Sequence, residues 1–576
     1  MKSTDKMFRA FRGWRLLLFV FFTLVGPPGV AWAVSFTVNS TVDAMDANPG
    51  DGICATAAGE CTLRAAIMEA NALAGSDTII LPAGIYTLSI PGRTGFQQPE
   101  EASKGDLDIH DDVTIVGDGE AVTIIDGGAR DRVFDIHGRL VTISGVTVQN
   151  GDPQTGDGGG IRNTGTLALT NSTVSGNRTL NSAGGIENTG TLTLTNSTVS
   201  GNTANNAGGI RNRGTLTLMN STVADNISNG VGGIWHLGGT ANVTGSTISN
   251  NSAGLNGVAG GILTSFGAGT FVLTNSTVSG NGAWGGGGIW NGSASPLTLN
   301  NTTITDNTAT DGANGGGGVR SVGFDKITVR NTIIARNNAP ISPDCFNPSP
   351  SPFPFGVWNS QGYNLIGDDS GCNYFAGAGD QVGTGISPID PLLGPLAANG
   401  GPTETHALLE GSPAIDTGNP YGCTDHLGNL LTIDQRGAPR SVDGDGDETA
   451  RCDIGAFEFG LQVISVVIDI KPGSFPNSIN PRSRGVIPVA ILSDVSFDAT
   501  TVNSTTVRFG ATGAEAAPVR AALEDVDLDG DIDMILHFNT QDTGIQCGDT
   551  SASLTGETSS GQMIQGSDSI KTAGCK

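Results

Sequence analysis

A chain of 576 residues exceeds what one ordinary hydrophobic core sustains, so it holds several domains or a solenoid that lengthens without a central core. Lys and Arg total 29 against 55 Asp and Glu, a formal net charge of −26, which argues against nucleic-acid binding through phosphate neutralisation. Charge of this sign keeps an extended protein soluble and also suits a calcium-containing exterior.

The N-terminus places Lys2, Lys6, Arg9, Arg12 and Arg15 before the apolar run Leu16–Val25 and the small-x-small triplet Ala31-Trp32-Ala33. This pattern predicts a secretory signal peptide over 1–33. Its apolar run is short for a bilayer span, and no later stretch approaches one, so no transmembrane segment is expected in the mature chain. Val34–Thr41 reads as a strand and Asp43–Glu60 as a polar loop. Cys61–Leu73 is the one good helix pattern of the mature chain: Leu63, Ala66, Ile67, Ala70 and Leu73 share a face, and Thr62 suits the N-cap. It is expected to cap the end of a solenoid, within an N-terminal cap over 34–76.

From Gly145 to Asn337 the chain repeats one phrase, seen best in Thr191–Asn202 (TLTLTNSTVSGN) and Thr215–Asn226 (TLTLMNSTVADN). Gly-Gly-Ile marks end at Ile161, Ile186, Ile210, Ile234, Ile262 and Ile289, and a Gly-Gly-Val at Val319, spaced 24 to 30 residues apart. A fixed period of this size with strand-type alternation predicts one coil of a parallel β-helix per repeat. Asn177, Asn202, Asn226, Asn251, Asn281, Asn307 and Asn337 recur at one corner, where stacked amides can bond from coil to coil.

Cys61-Thr62-Leu63-Arg64-Ala65-Ala66 followed by Glu69-Ala70-Asn71 resembles the CSLREA motif of secreted bacterial right-handed β-helix proteins, with Ala65 in place of the motif's glutamate. Asp77–Tyr86 and Gly105–Gly128 are similar to that family's early coils, and the repeats resemble those of polymorphic bacterial outer-membrane autotransporters. After a Pro/Ser-rich loop at Pro340–Phe355, the series Pro388–Pro395, Gly400–His406, Gly411–Asp416, Asp434–Gly437 and Cys452–Glu458 resembles a choice-of-anchor Q region over about 359–460. The resemblance implies a right-handed parallel β-helix over 77–460, closed by that region, and says little about activity. Residues 461–576 form a separate unit, with strands expected at Val466–Ile470, Val486–Leu492, Thr505–Phe509 and Ile532–Phe538 in a small antiparallel β-sandwich. The predicted class is therefore all-β.

Eight cysteines in an exported chain imply disulfides. Chain order suggests Cys54–Cys61, Cys345–Cys372, Cys423–Cys452 and Cys547–Cys575.

The most specific chemical motif is Asp525-Val526-Asp527-Leu528-Asp529-Gly530-Asp531-Ile532-Asp533. Alternating oxygens with Gly at the sixth place match a calcium loop, although Leu536 replaces the closing Glu of an EF-hand. Asp525, Asp527, Asp529 and Asp533 would bind through side chains and Asp531 through its carbonyl; the alternative is a solvated acidic turn. Asp443-Gly444-Asp445-Gly446-Asp447 is a poorer copy, with Arg451 at the ninth place. If each Gly-Gly-Ile isoleucine points inward, the next residue points out. This sets Arg162, Glu187, Arg211, Trp235, Leu263, Trp290 and Arg320 in one outward column, with His236 beside it. Two tryptophans there suggest a sugar-stacking stripe; the alternative is packing against the longer loops of these coils. For acid–base chemistry the candidates are Asp106, Asp108, His110 and Asp112, with Arg320 near Asp311 a weaker one.

These features predict a secreted or cell-surface, non-enzymatic β-helix protein that contacts a polysaccharide or cell-surface ligand and carries calcium in its C-terminal unit. The alternatives are a β-helix polysaccharide lyase or hydrolase, and a structural surface-layer component.

Overall fold

The computed structural model describes residues 33–92, 101–154, 156–265, 269–292, 296–312, 315–322, 327–347, 358–372, 374, 376–445, 447, 449–460, 463–494, 497–559 and 563–575. The expected signal peptide lies outside the described residues except for Ala33.

Each repeat folds as one coil. In the best-formed coil, Ile186–Asn188 joins a ten-stranded sheet, Thr191–Thr195 and Thr198–Ser200 join a 22-stranded sheet, and Thr203–Ala204 joins a five-stranded sheet. Successive coils pair in parallel with like residues opposed: Ile186 with Ile210, Leu192 with Leu216, Val199 with Val223. Alternation then sends Ile, Leu and Val into one continuous core, where all six of these residues are fully buried. The Gly-Gly before each isoleucine reflects close backbone approach: a Cβ on Gly209 would sit 2.7 Å from the Gly233 carbonyl oxygen of the next coil.

Two kinds of asparagine build the corners. Asn196, Asn220 and their counterparts turn the chain between the two rows of the large sheet with positive φ, at 47° and 49° for these two. Asn is the side-chain-bearing residue best suited to that conformation. Asn177, Asn202, Asn226, Asn251, Asn281, Asn307 and Asn337 are buried and form an amide ladder. Asn202 Nδ2 donates to Asn226 Oδ1 at 3.0 Å and to the Val174 carbonyl at 3.0 Å, and the Asn202 backbone N–H donates to the same Asn226 Oδ1. The ladder ends on Asp344, whose Oδ1 accepts both the backbone and the side-chain N–H of Asn337. A second, shorter ladder runs Asn163–Asn188–Asn212–His236 on the ten-stranded sheet.

The helical sheet starts earlier than expected, because Ser35–Thr37 pairs in parallel with Asp77–Leu81. Helix α1 (Leu63–Ala72), N-capped by Thr62, closes this end. Asn71 meets the open edge of the first strand of the ten-stranded sheet, donating to the Asp108 carbonyl at 2.8 Å and accepting the His110 N–H at 2.7 Å. The edge is thus paired by a side chain instead of by a strand. Arg64 is buried beneath the helix, paired with Asp43 at 2.6 Å and donating to the Ala102 and Gly105 carbonyls.

The parallel ladder ends at Gln381–Val382. Residues 388–459 then fold back over the outer face of the large sheet, where the expectation was closure of the helix end. Gln435 bridges Thr247 and Thr277, His406 meets Ser279 at 2.7 Å, and Arg440 donates to Asn275 Oδ1 at 2.8 Å. Beneath this cover lies a satellite core that includes Ile333, Leu365, Leu393, Ile415, Ile454 and Phe457. The C-terminal unit is a sandwich of two four-stranded sheets around a core that includes Phe509 and Phe538. One of its pairs, Val463–Ser465 with Met563–Ser569, is parallel, so the sandwich is not purely antiparallel. The four expected strands are present in outline, at Ile468–Ile470, Val486–Ile491, Val502–Gly510 and Asp533–Asn539. Pro518–Glu524 and Ser551–Thr558 were not expected as strands.

Disulfides join Cys54–Cys61, Cys345–Cys372, Cys423–Cys452 and Cys547–Cys575. No helix among the described residues is long and apolar enough to cross a membrane.

Candidate functional site

The outward positions of the ten-stranded sheet form one register-aligned row. Arg162, Glu187, Arg211, Trp235, Leu263, Trp290 and Arg320 lie side by side in successive coils. The row extends to Asp108 and Asp135 before Arg162 and to Phe346 after Arg320. Asp135 and Phe346 escaped sequence reading because their coils lack the Gly-Gly-Ile mark: Arg132-Val133-Phe134 and Pro343-Asp344-Cys345 stand there.

Strand pairing places Asp108 beside Asp135 while Leu107, Ile109, Phe134 and Ile136 fill the core beneath. Like charges this close repel unless they are countered. Arg132 Nε lies 2.6 Å from Asp106, Arg162 donates to Asp135 at 2.9 Å, and His137 Nε2 lies 2.9 Å from Asp108. His110 stacks on His137 with ring centroids 4.4 Å apart. The hydrogen bond to Asp108 raises the His137 pKa, favouring the imidazolium. Burial pushes the Asp106 carboxyl well above its usual range, against the pull of Arg132. The carboxylates are sealed: Asp106 is 2% exposed, and Asp108 and Asp135 are 0% exposed. The Arg162 side chain, at 36%, and that of His137, at 23%, form the accessible rim.

Of the four acid–base candidates, the structure brings Asp106, Asp108 and His110 together and adds Asp135 and His137. Asp112 is held by backbone groups. Its Oδ1 accepts the Leu140 N–H and its carbonyl accepts the Asp77 N–H, so it pins the neighbouring corner. Arg320 and Asp311 do meet, at 3.3 Å, as a buried ion pair.

Further along, Glu187 is buried between Arg211 at 3.4 Å and Arg213 at 3.2 Å, and burial lifts its pKa to about 7 against these arginines. Trp235 is half-buried, donates to Ser265 Oγ at 2.9 Å and lies beneath the Arg211 guanidinium. Trp290 is half-buried with Arg320 4.0 Å over its ring, and both tryptophans pack with Val231, Val258, Ala259 and Leu263. His236, expected beside the outward column, is a correction. Two residues after the inward Ile234 it points inward too, is fully buried, accepts the Asn212 Nδ2–H at Nδ1 at 2.9 Å and edges onto Phe271. Burial lowers its pKa to about 4, so it is neutral.

In the C-terminal unit, carboxylate oxygens of Asp525, Asp527 and Asp533 lie within 4.8 Å of one another. Asp533 is buried and accepts the Ser493 and Val526 N–H groups, which fix its carboxylate. Gly530 has φ 102°, the turn that the sixth position of such a loop demands. Asp529 Oδ1 instead accepts the Asp531 N–H at 2.9 Å. The poorer copy gains a partner from afar: Asp416, Asp443 and Asp445 form a similar group, in which Asp416 accepts the N–H groups of Gly444, Asp445 and Arg451.

No curated protein matches the sequence. A crystal structure of the pectate lyase Pel9A is similar over 75% of this chain and 98% of that one, with 14% identity and a TM-score of 0.36. A family model described as a right handed beta helix region matches residues 120–304. Together with the parallel ladders, that match identifies a right-handed parallel β-helix protein.

Proposed function

We propose that the protein is an exported β-helix that binds carbohydrate on its long faces without cleaving it. The observation that carries this reading is the sealing of the acid cluster. A group that moves a proton must reach the substrate, whereas Asp108 and Asp135 have no exposed surface and are committed to His137 and Arg162. What the row offers instead is contact: Arg162 at the rim and the half-buried faces of Trp235 and Trp290. Four disulfides suit an oxidising compartment. The test is a panel of neutral and acidic polysaccharides assayed for binding and for unsaturated or reducing-end products. Retention without product is expected; product formation that disappears in Asp108→Ala would overturn the reading.

A lyase or hydrolase is the second reading, favoured by one observation. Asp106, Asp108 and Asp135 converge with Arg162 and His137 on a single outward face. The same panel decides between the two.

The C-terminal loop would hold calcium through Asp525, Asp527 and Asp533. The fit rests on Asp525 Oδ1, a buried oxygen with no hydrogen-bond partner among the described residues. A divalent cation there would offset the mutual repulsion of the carboxylates and stiffen the turn. Calorimetric titration of the intact protein should show calcium uptake that Asp527→Ala abolishes; identical uptake in that variant would reject this loop as the site.

A further inference from the structure

The outer face of the 22-stranded sheet is divided in two by the cover. Over the later coils the corner asparagines are buried; Asn275 Oδ1 accepts from Arg440, and the amide N–H groups show which acceptors this face binds. Asn275 Nδ2 donates to the Ile433 carbonyl at 2.8 Å, Asn301 Nδ2 to the Thr424 carbonyl at 3.0 Å, and Asn331 Nδ2 to the Asp453 carbonyl at 2.6 Å. The hydroxyls behave alike: Thr247 Oγ1 donates to the Glu404 carbonyl and Thr277 Oγ1 to Gln435 Oε1. Every acceptor in these contacts is a neutral oxygen.

The earlier coils carry the same face uncovered. Asn171, Asn196 and Asn220 occupy the same left-handed corner and are exposed. The strands on either side, Thr166–Thr170, Thr191–Thr195, Thr215–Met219, Thr173–Ser175, Thr198–Ser200 and Thr222–Ala224, hold no charged residue, in a chain that is 15% charged. At the N-terminal end of this strip the corner asparagine gives way to glycine. Register aligns Gly117 and Gly145 with Asn171. A side chain is impossible there, since Gly145 has φ 65° and its Cβ would lie 2.6 Å from the Gly117 carbonyl oxygen.

The missing side chains open a notch of about 430 Å3 lined by Gly117, Asp118, Glu120, Ser144, Asn171 and Asn196, among others. That volume falls within the range of small-molecule sites, roughly 300–1,000 Å3. Its polar groups are positioned: Glu120 Oε2 accepts the Thr173 hydroxyl at 2.7 Å, Asp118 Oδ2 accepts the Ala83 N–H at 2.9 Å, and Asn171 Oδ1 accepts Asn196 Nδ2 at 3.3 Å. Two carboxylates and no Lys or Arg in the lining reject an anionic ligand.

We propose that this notch and the uncharged strip beyond it bind a neutral polysaccharide, with one sugar residue in the notch and the chain running along the helix axis. The carboxylates of Asp118 and Glu120 accept sugar hydroxyls, and the corner amides donate to hydroxyl and ring oxygens, as their counterparts donate to carbonyls under the cover. The proposal rests on the carbohydrate-binding reading above but places the ligand on a different face from the Asp108–Phe346 row.

The test uses the full chain in affinity electrophoresis through gels containing a neutral β-glucan or polygalacturonate. Glu120→Ala and Asn196→Gly remove one ligand group each; glycine keeps the φ of 47° at position 196. Far-UV circular dichroism and urea midpoints matching the parent chain establish that both variants fold. Retardation by the neutral glucan, weakened about two- to tenfold in Asn196→Gly and about tenfold or more in Glu120→Ala, is the expected result. Neutral-glucan binding lost in Trp235→Ala and intact in the notch variants would overturn the notch and leave the carbohydrate reading standing. Binding of polygalacturonate alone would overturn the neutral class. Binding of neither would overturn both. Self-association abolished by Asn196→Gly, without glucan binding, would assign the strip to a second copy of the chain and reject the proposal.

Discussion

Asn226→Ala tests the physical claim on which the helix depends, that the buried amide ladder couples each coil to the next. The parent side chain accepts the backbone and side-chain N–H groups of Asn202, both at 3.0 Å, and donates to the Val199 carbonyl and to Asn251 Oδ1, both at 2.9 Å. Alanine removes all four bonds and orphans two donors on Asn202, which is itself fully buried. An unsatisfied buried group costs about 1–3 kcal/mol, so the coil loses about 2–6 kcal/mol, toward the lower figure if a water enters the gap. In a solenoid the loss stays near the damaged interface. Hydrogen exchange should therefore show faster exchange at 199–206, with the cap helix and the C-terminal sandwich unchanged, and the urea midpoint should fall. Thr193→Ala, an outward residue of a neighbouring coil, is the control. Exchange at Asn202 and a urea midpoint both equal to the control would refute the ladder as a source of stability. Asn226→Asp should be worse than alanine near neutral pH, because a carboxylate has no hydrogen to give to Val199 or Asn251. Asp344 is tolerated only because it ends the ladder, where its oxygens have only donors to meet, including the Asp368 N–H.

Asp344 and His236 give pH responses of opposite sign. Burial raises the Asp344 pKa from 3.8 to about 6, so its contribution is complete below about 4 and is lost as pH rises through 6; about 3 kcal/mol is at stake, and urea midpoints in Asp344→Asn should show a shallower decline over that window. Burial lowers the His236 pKa from 6.5 to about 4, so stability is complete above 6.5 and falls as pH drops through 4; His236→Asn, which can continue the Asn163–Asn188–Asn212 ladder, should remove that acid-side loss of about 3 kcal/mol. Arg64→Ala should loosen the N-terminal cap by up to about 3–5 kcal/mol, since it leaves the buried Asp43 carboxylate without its cation, held among the described residues only by the Ser89 and Ile90 N–H groups. Limited proteolysis would then cut first within 33–110, and an unchanged cleavage pattern would show that the arginine is dispensable.

The repeat was legible because every coil meets the same neighbours above and below. One environment selects one residue, so Ile161, Ile186 and Ile210 recur where each packs on the last. The outward row was legible for the same reason, and His236 was misplaced only because strand parity was applied to Trp235 and not carried one residue further. The second ladder was visible as an Asn two residues after Ile161, Ile186 and Ile210, but an isolated Ile-x-Asn triplet also fits a turn. The strand Ser551–Thr558 was missed because its inward positions include the small residues Ala552 and Gly556, which give a weak apolar alternation. The fold-back of residues 388–459 left no periodic signal. Its contacts span long separations, as between Ser246 and Gln435, and many of them end on backbone carbonyls, which carry no residue identity.

That last point bears on where binding belongs in a molecule of this kind. A position that follows the repeat is accounted for by stacking, so residues available for recognition are sought where the repeat is broken while its geometry persists. Gly145 for Asn171 is such a break, because the corner keeps its register and left-handed turn but loses its side chain. Asp135 beside Asp108 is another, because two carboxylates occupy neighbouring outward positions that later coils fill with Trp235 and Leu263. The two breaks differ in accessibility. The acid pair is closed over by Arg132, Arg162 and His137, and its charges are answered from within. The glycine corner is open, and the amides flanking it stand as their buried counterparts do before the cover's carbonyls reach them. A surface whose covered half already binds neutral oxygens needs no new chemistry to bind them on its open half.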